Sequence, residues 1–184
     1  MFSFDPYSPA VDADPFPYYK TLRDEHPAFW SDEAGMWVLS RYADIVTALN
    51  TFGPVALGLS GPDALLLEAE AHDPDLGFVG TVTKVNPELI TRTLAMDLIP
   101  VIATIGADET GQTYNINADD AATEIAQELA AEKLIFLTDV PGLLADVDDP
   151  GSLITRVGTD RVQELINSGV VSGGMIPKMA GCIR

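Results

Sequence analysis

The sequence predicts an α/β protein: an open, mostly parallel sheet with helices on both faces, preceded by a small helix–hairpin–helix segment. Three observations carry this. Apolar runs at Val55–Leu59, Leu98–Ile105 and Lys133–Leu137 have the unbroken character of strands buried on both faces. Segments with apolar residues at helical spacing fall between them, so strand and helix alternate. Composition also changes near Asn50–Phe52: residues 1–50 hold ten of the fourteen aromatics and only one glycine, Gly35, of fifteen.

In chain order, Asp14-Pro15 marks a helix start, a capping residue before proline at the first helical position. That helix runs to about His26, carries Phe16, Tyr19 and Leu22 along one side, and ends before Pro27. Ala28–Ser31 and Met36–Ser40 read as short strands around the turn Asp32-Glu33-Ala34-Gly35. Tyr42–Asn50 is a helix expected to bury Ile45, Val46, Ala48 and Leu49. Val55–Leu59 is a buried strand, and Asp75–Val82 a glycine-flanked excursion or hairpin arm. Asn86-Pro87 opens a helix to about Met96 with Leu89, Ile90 and Leu94 inward. Leu98–Ile105 is a central parallel strand, and Thr113–Ile116 a short one. From Asp119 to about Ala131, Ala122, Ile125, Ala126 and Leu129 form one stripe. Lys133–Leu137 is the next strand. Thr159–Asn167 is a helix with Val162, Leu165 and Ile166 inward and Gly169 at its end. Ser172-Gly173-Gly174 leads into a last helix through Lys178.

The formal net charge of −18 argues against nucleic-acid or anionic-membrane partners, which call for Lys/Arg patches. Any polyanionic ligand must be held by local donors against that field. No run is long and apolar enough to span a bilayer. The start, Met1-Phe2-Ser3-Phe4, lacks a basic stretch followed by an apolar core, so no secretory signal is expected. One cysteine, Cys182, allows no internal disulfide framework and fits a reducing cytoplasm.

Three clusters fall at strand–helix boundaries, where α/β sheets bind ligands. In Asn115-Ile116-Asn117-Ala118-Asp119, two asparagines two residues apart on a strand put both amides on one side, and Asp119 can anchor a lysine. Equally, Asn117 or Asp119 caps the helix. In Thr138-Asp139-Val140-Pro141-Gly142, Asp139 can accept from a ribose hydroxyl, or the stretch is a surface turn. In Ser172-Gly173-Gly174-Met175-Ile176-Pro177-Lys178, glycines admit a ligand, helix-start amides favour anions, and Lys178 is a mobile point charge. A lysine there is also commonly just solvated. His26 and His72 stand apart with no second ligand at metal spacing, so no metal site is expected. The sequence has neither a Gly-x-x-x-x-Gly-Lys-Ser/Thr loop nor a Gly-x-Gly-x-x-Gly run.

Taken in order, Gly58-Leu59-Ser60-Gly61, Gly77-Phe78-Val79-Gly80, Val85-Asn86-Pro87, Ile99-Pro100-Val101-Ile102 and the three clusters make residues 51–184 resemble the acetylglutamate kinases of the amino-acid kinase family. The resemblance implies ATP-dependent phosphorylation of N-acetyl-L-glutamate in arginine biosynthesis, with ATP and Mg²⁺ required, in the cytoplasm. It implies that Asn115 holds the acetylglutamate and that Asp119 organises catalytic lysines. It places Thr138, Asp139, Gly142 and Met175 at the nucleotide and Lys178 on the transferring phosphoryl group, in keeping with a reaction that is mostly positioning and charge neutralisation.

The family's Lys-x-Gly-Gly loop, its next glycine loop and its substrate-gripping arginine have no match in this sequence, nor do its last strands. The expectation is a site that has lost most of its rate, and a sheet whose unpaired edges favour self-association, as a homo-oligomer or through edge strands. Residues 1–50 resemble the start of a cytochrome P-450 in Phe4-Asp5-Pro6, Asp14-Pro15-Phe16-Pro17-Tyr18-Tyr19, Leu22-Arg23 and Met36–Ile45. That segment carries no catalytic residue, and Cys182 lacks the Phe-Gly setting of a haem thiolate, so no haem is expected. The chain thus reads as a composite of 1–50 and 51–184. Its alternative readings are a non-catalytic chimera or fragment with at most weak nucleotide binding, and, third, a haem-thiolate monooxygenase fragment.

Overall fold

The computed structural model describes residues 2–14, 16–137, 142–146, 149, 151–171 and 175–181. They divide into two compact units, Met1–Leu59 with Ile90–Ala103, and Ser60–Leu89 with Thr104–Arg184. The class is α/β, as the sequence predicts.

The first unit begins with α1 (Pro9–Ala13), capped by the Ser8 hydroxyl, which accepts from the Val11 amide. Then come α2 (Phe16–Glu25), the antiparallel hairpin of β1 (Ala28–Ser31) and β2 (Met36–Leu39), and α3 (Tyr42–Asn50). Phe4, Val11 and Leu22 form its buried core, with Phe2, Tyr18, Phe29 and Val38 packed around them. Ser31 is wholly buried and is satisfied by donating to the Phe4 carbonyl at 2.7 Å. At the hairpin turn, Gly35 takes φ 63°, the left-handed conformation in which glycine has no steric cost.

The compositional break at Asn50–Phe52 falls inside this unit. Asn50 ties α3 to the next strand, β3 (Ala56–Ser60): its Oδ1 accepts from the Val55 and Ala56 amides at 2.9 and 2.8 Å, and its Nδ2 donates to the Ala56 carbonyl at 3.0 Å. Tyr42 and Val46 lie over Gly58, where an added Cβ would sit 3.1 Å from each. The expectation that α3 buries Ile45, Val46, Ala48 and Leu49 needs correction. No α3 residue is fully buried and Ile45 is exposed, because the layer beneath α3 is only the two-stranded sheet of β3 and the later β6 (Ile99–Ala103).

In the second unit, β4 (Leu67–Ala71), β5 (Val79–Val85), β7 (Ile105–Ala107) and β8 (Thr113–Ile116) close on themselves in the order β4-β5-β8-β7. Parallel pairs, β4 with β7 and β5 with β8, alternate with antiparallel ones, β4 with β5 and β7 with β8. Edges expected to stay open are thereby paired in this unit, which removes the association hazard there. So tight a closure needs small residues inside. A Cβ on Gly80 would lie 2.6 Å from the Tyr114 Cβ, and one on Gly106 2.6 Å from the Ala69 Cβ. Leu66, Leu67, Ala69, Ala107 and Ile116 complete the buried interior.

The run Leu98–Ile105 is therefore not one strand. It breaks at Thr104 into β6 and β7, and the Thr104 carbonyl accepts from the Ile116 amide at 2.9 Å. Lys133–Leu137 forms no strand either. Ile135 is 75% and Leu137 93% exposed, and no described strand pairs with the segment.

The remaining α-helices among the described residues are α4 (Glu88–Ala95), α5 (Ala118–Glu128), α6 (Thr159–Asn167) and α7 (Met175–Gly181). In α4, Ile90 is buried as expected, but Thr93 joins it while Leu94 is exposed. In α5 the buried residues are Ala121 and Thr123, with the expected stripe of Ala122, Ile125, Ala126 and Leu129 only half-buried. In α6, Val162 and Leu165 are inward, and Gly169 follows the end at φ 77°.

The turn before β4 is strained, since Ala64 and Leu65 both take positive φ, 50° and 55°. That region costs a non-glycine residue ~1–2 kcal/mol. Leu65 is mostly exposed and gives up little packing. Leu65→Gly is therefore expected to stabilise the protein by about 1 kcal/mol, a rise of roughly 2–4 °C in a thermal melt, net of the glycine's greater freedom when unfolded. A lower melting temperature would contradict the strain account.

Candidate functional site

The junction of β8 and α5 is built by the chain's own capping chemistry. Asn117 is the N-cap of α5: its Oδ1 accepts from the Asp119 and Asp120 amides at 2.9 and 3.2 Å. Its amide oxygen is thus committed to the helix, and the donor a ligand would meet is Nδ2. Asn115 stands exposed on β8, with its backbone amide donating to the Phe78 carbonyl at 2.8 Å. Asp119 lies in the first turn of α5, where the helix dipole favours a carboxylate.

Lys178, on α7, donates from Nζ to Asp119 Oδ2 at 2.7 Å. Both side chains are about four-fifths covered, being 21% and 20% exposed, which makes this contact less screened than a surface ion pair. Met175, half-buried, sits three residues before Lys178 on α7 and so shares its face. Gly142 lies on a separate loop at φ 138°, which excludes side chains on conformational grounds; a Cβ there would also sit 3.1 Å from Leu153. That loop is held by the Leu144–Leu153 bridge and by the Ile154 amide donating to the Leu143 carbonyl at 2.7 Å. Thr138 and Asp139 lie outside the described residues, as do Ser172–Gly174 and Cys182.

Beside the junction opens a cleft of about 480 Å³, with Val79, Val82 and Ile116 as apolar wall and His72, Asn117 and Asp120 as polar rim. His72 is exposed, with Nδ1 2.7 Å from the Thr81 hydroxyl across the β4–β5 hairpin. The alternation Leu67-Glu68-Ala69-Glu70-Ala71, a strand signal, would have revealed that hairpin. Among the described residues, no three His, Cys, Asp or Glu side chains are placed to hold a metal ion, and no helix is long and apolar enough to cross a membrane.

At the other end of β8 from this junction, hydrogen bonds hold a carboxylate. Asp108, in the turn between β7 and β8, accepts from the Thr110 hydroxyl at 2.7 Å, the Tyr114 hydroxyl at 3.0 Å and the Thr110 and Gln112 amides. The Thr110 bond first, then that of Tyr114, holds the Asp108 carboxyl below its ordinary value, while Asp108 raises the Tyr114 phenol. A depressed carboxylate stabilises the fold above its unfolded pKa, and that contribution is lost as pH falls through the folded value. A raised phenol stabilises it below its unfolded pKa, and that contribution is lost as pH rises through the folded value. Asp108→Asn is therefore expected to flatten the loss of thermal stability below about pH 4, read from melts across pH. An unchanged acid limb would contradict this.

A model of the amino acid kinase family matches residues 19–184. The chain belongs to the amino acid kinase family. Among its relatives are acetylglutamate kinases: that of Gloeobacter violaceus is 50% identical over 145 residues, covering 76% of this chain and 48% of the relative. Those of Desulfitobacterium hafniense (47% identity, 77% of this chain, 51% of the relative) and Methanosphaera stadtmanae (45%, 77% and 52%) are similar. The chain thus spans about half the length of the curated relatives it matches. The crystal structure of smu.665 from Streptococcus mutans UA159 superposes with a TM-score of 0.68 at 34% identity, over 77% of this chain and 56% of that one. N-acetylglutamate synthase from Neisseria gonorrhoeae, at 17% identity and a TM-score of 0.57 over 91% of this chain and 41% of that one, shares the fold. The family match begins inside the 1–50 segment, whose likeness to a cytochrome P-450 the comparisons do not support.

Proposed function

We propose that residues 51–184 carry the phosphoryl-transfer part of an N-acetyl-L-glutamate kinase site, as a unit of sequence distinct from 1–50. The supporting observation is the Lys178–Asp119 contact, made between the start of α5 and α7, in a chain 50% identical to an acetylglutamate kinase over 76% of its length. In this reading Lys178 neutralises charge on the transferring phosphoryl group, and Asp119 aims the ammonium. Asn115, exposed at the end of β8, hydrogen-bonds the acetylglutamate. Thr138, Asp139, Gly142 and Met175 surround the nucleotide, the glycine admitting it closely where a Cβ would crowd Leu153.

A substrate carboxylate oxygen bonds to the γ-phosphorus as the bridging β–γ oxygen leaves with ADP, so the protein has no covalent step to perform and works by placement and charge. ATP with Mg²⁺, when bound, would supply the phosphoryl group and the charge neutralisation its phosphates need. The setting is the cytoplasm, and the partner a small molecule.

The test is ADP release in the presence of ATP, Mg²⁺ and N-acetyl-L-glutamate, with a thermal melt in ATP run alongside. Acetylglutamate-dependent release supports the kinase. A second reading, nucleotide binding without turnover, is favoured by one observation: Asp119 already neutralises Lys178, so that ammonium is paired before any phosphate arrives. An ATP-dependent rise in melting temperature with no release would decide for it.

A further inference from the structure

We propose that Thr123 is a positioning residue for the Asp119–Lys178 pair, an assignment of role that rests on the phosphoryl-transfer reading of that pair. Threonine within a helix is usually solvent-facing, yet Thr123 is only 3% exposed. Its hydroxyl donates to the Asp119 carbonyl oxygen at 2.8 Å, one turn back along α5. On its other side it meets α7: a Cβ built on Gly181 would lie 2.4 Å from Thr123 Oγ1, 3.2 Å from Cγ2 and 3.3 Å from Cβ. The backbone of α7 therefore rests directly on this side chain.

The spacing makes the two contacts one device. Asp119 and Thr123 are four apart on α5, and Lys178 and Gly181 three apart on α7, so each pair shares a helix face. The helices meet in two rungs: the ion pair at 2.7 Å, and the packing of Gly181 on Thr123 one turn further along. Beyond the second rung opens a cleft of about 350 Å³ bordered by Thr123, Ala126, Ala130, Leu134 and Gly181. With open space on that side, Thr123 is the spacer that sets the separation of α7 from α5. The hydroxyl suits this role because oxygen tolerates closer approach than a methyl group, and because its proton is committed to the residue that holds Lys178.

Thr123→Val keeps the shape but places a methyl where the oxygen was, pushing α7 outward and removing the tie to Asp119. Thr123→Ser keeps oxygen and tie. Thr123→Ala, which introduces no crowding, loses the tie as well. The readout that a merely structural role would not move is the rate at which a small acylating reagent modifies Lys178, measured by mass spectrometry relative to exposed Lys133 in the same folded chain. A lysine released from its carboxylate is expected to react about fivefold faster in the Val and Ala variants, with Ser within about twofold of the parent. Thr47→Val, which removes a similar intrahelical bond to the Ala43 carbonyl at 2.9 Å, is expected to leave the ratio unchanged. Where the parent turns over acetylglutamate, Thr123→Val should also lower kcat about tenfold with little change in the KM for ATP, as expected for misplacement. A parent without turnover overturns the kinase reading while the labelling still decides the geometry. A Lys178 ratio equal to the parent's in a folded Val or Ala variant overturns the positioning role.

Discussion

Lys178→Ala is expected to lower acetylglutamate-dependent ADP release by about 10²–10³-fold while leaving the protein folded. The size follows from the reaction. Phosphoryl transfer offers the protein little covalent work, so charge placed where the phosphoryl oxygens develop it accounts for most of the rate. Lys178 is the cation seen at the α5–α7 contact, and its coverage to 21% exposure keeps water from screening it as it would a surface lysine. Lys178→Arg should rescue poorly, because a planar fork cannot follow a moving group as a compact ammonium can. Asp119→Asn should lower the rate without a comparable change in the KM for ATP. The measurement is steady-state kinetics with circular dichroism as the check on folding. A Lys178→Ala variant with parental kcat would remove the residue from the chemistry.

Gly61→Ala is expected to produce the largest loss of stability of any single added carbon in the second unit. An alanine Cβ there would lie 1.9 Å from the Ile105 carbonyl oxygen and 2.9 Å from the Gly106 Cα, both backbone atoms that no rotamer change can move aside. Overpacking of this kind costs about 1–3 kcal/mol where side chains can yield, and about 3 kcal/mol or more is expected here. For a chain of 184 residues that is a fall of roughly 6–12 °C in melting temperature. Gly158→Ala, where the added carbon meets nothing within 4 Å, is the matched control. A Gly61→Ala melt within a degree or two of the parent would show that the β7 backbone does not sit against Gly61 as described.

Much of the local structure is legible in the sequence because local rules govern it. The helices Tyr42–Asn50 and Thr159–Asn167 and the strand Thr113–Ile116 begin and end where periodicity, capping and turn residues place them. What escapes depends on partners distant in sequence. An apolar run such as Leu98–Ile105 carries no mark of the point at which the backbone leaves one sheet for another, and the break falls at Thr104, whose carbonyl accepts from the distant Ile116 amide. Lys133–Leu137 has strand composition, but a strand also needs a neighbour to pair with. The burial of α3 is not legible for the converse reason: its apolar residues suit a broad sheet, and two strands cover less. At the candidate site, the Asn117 cap is a local contact, and spacing alone left it as one of two readings. The Asp119–Lys178 contact joins residues 59 apart, and nothing in either segment by itself names the other. Their likeness to one family's ordered motifs is what first associated them, and Thr123, lying between ordinary helix formers, carried no such signal.

The most direct test of the account is to incubate this chain with ATP, Mg²⁺, N-acetyl-L-glutamate and hydroxylamine, and to look by mass spectrometry for the hydroxamate that traps an acyl phosphate. The account predicts a hydroxamate of acetylglutamate formed in step with ADP, absent without either substrate and nearly absent with Lys178→Ala. No hydroxamate above the Lys178→Ala background, from folded protein whose melting temperature ATP does not raise, would contradict it.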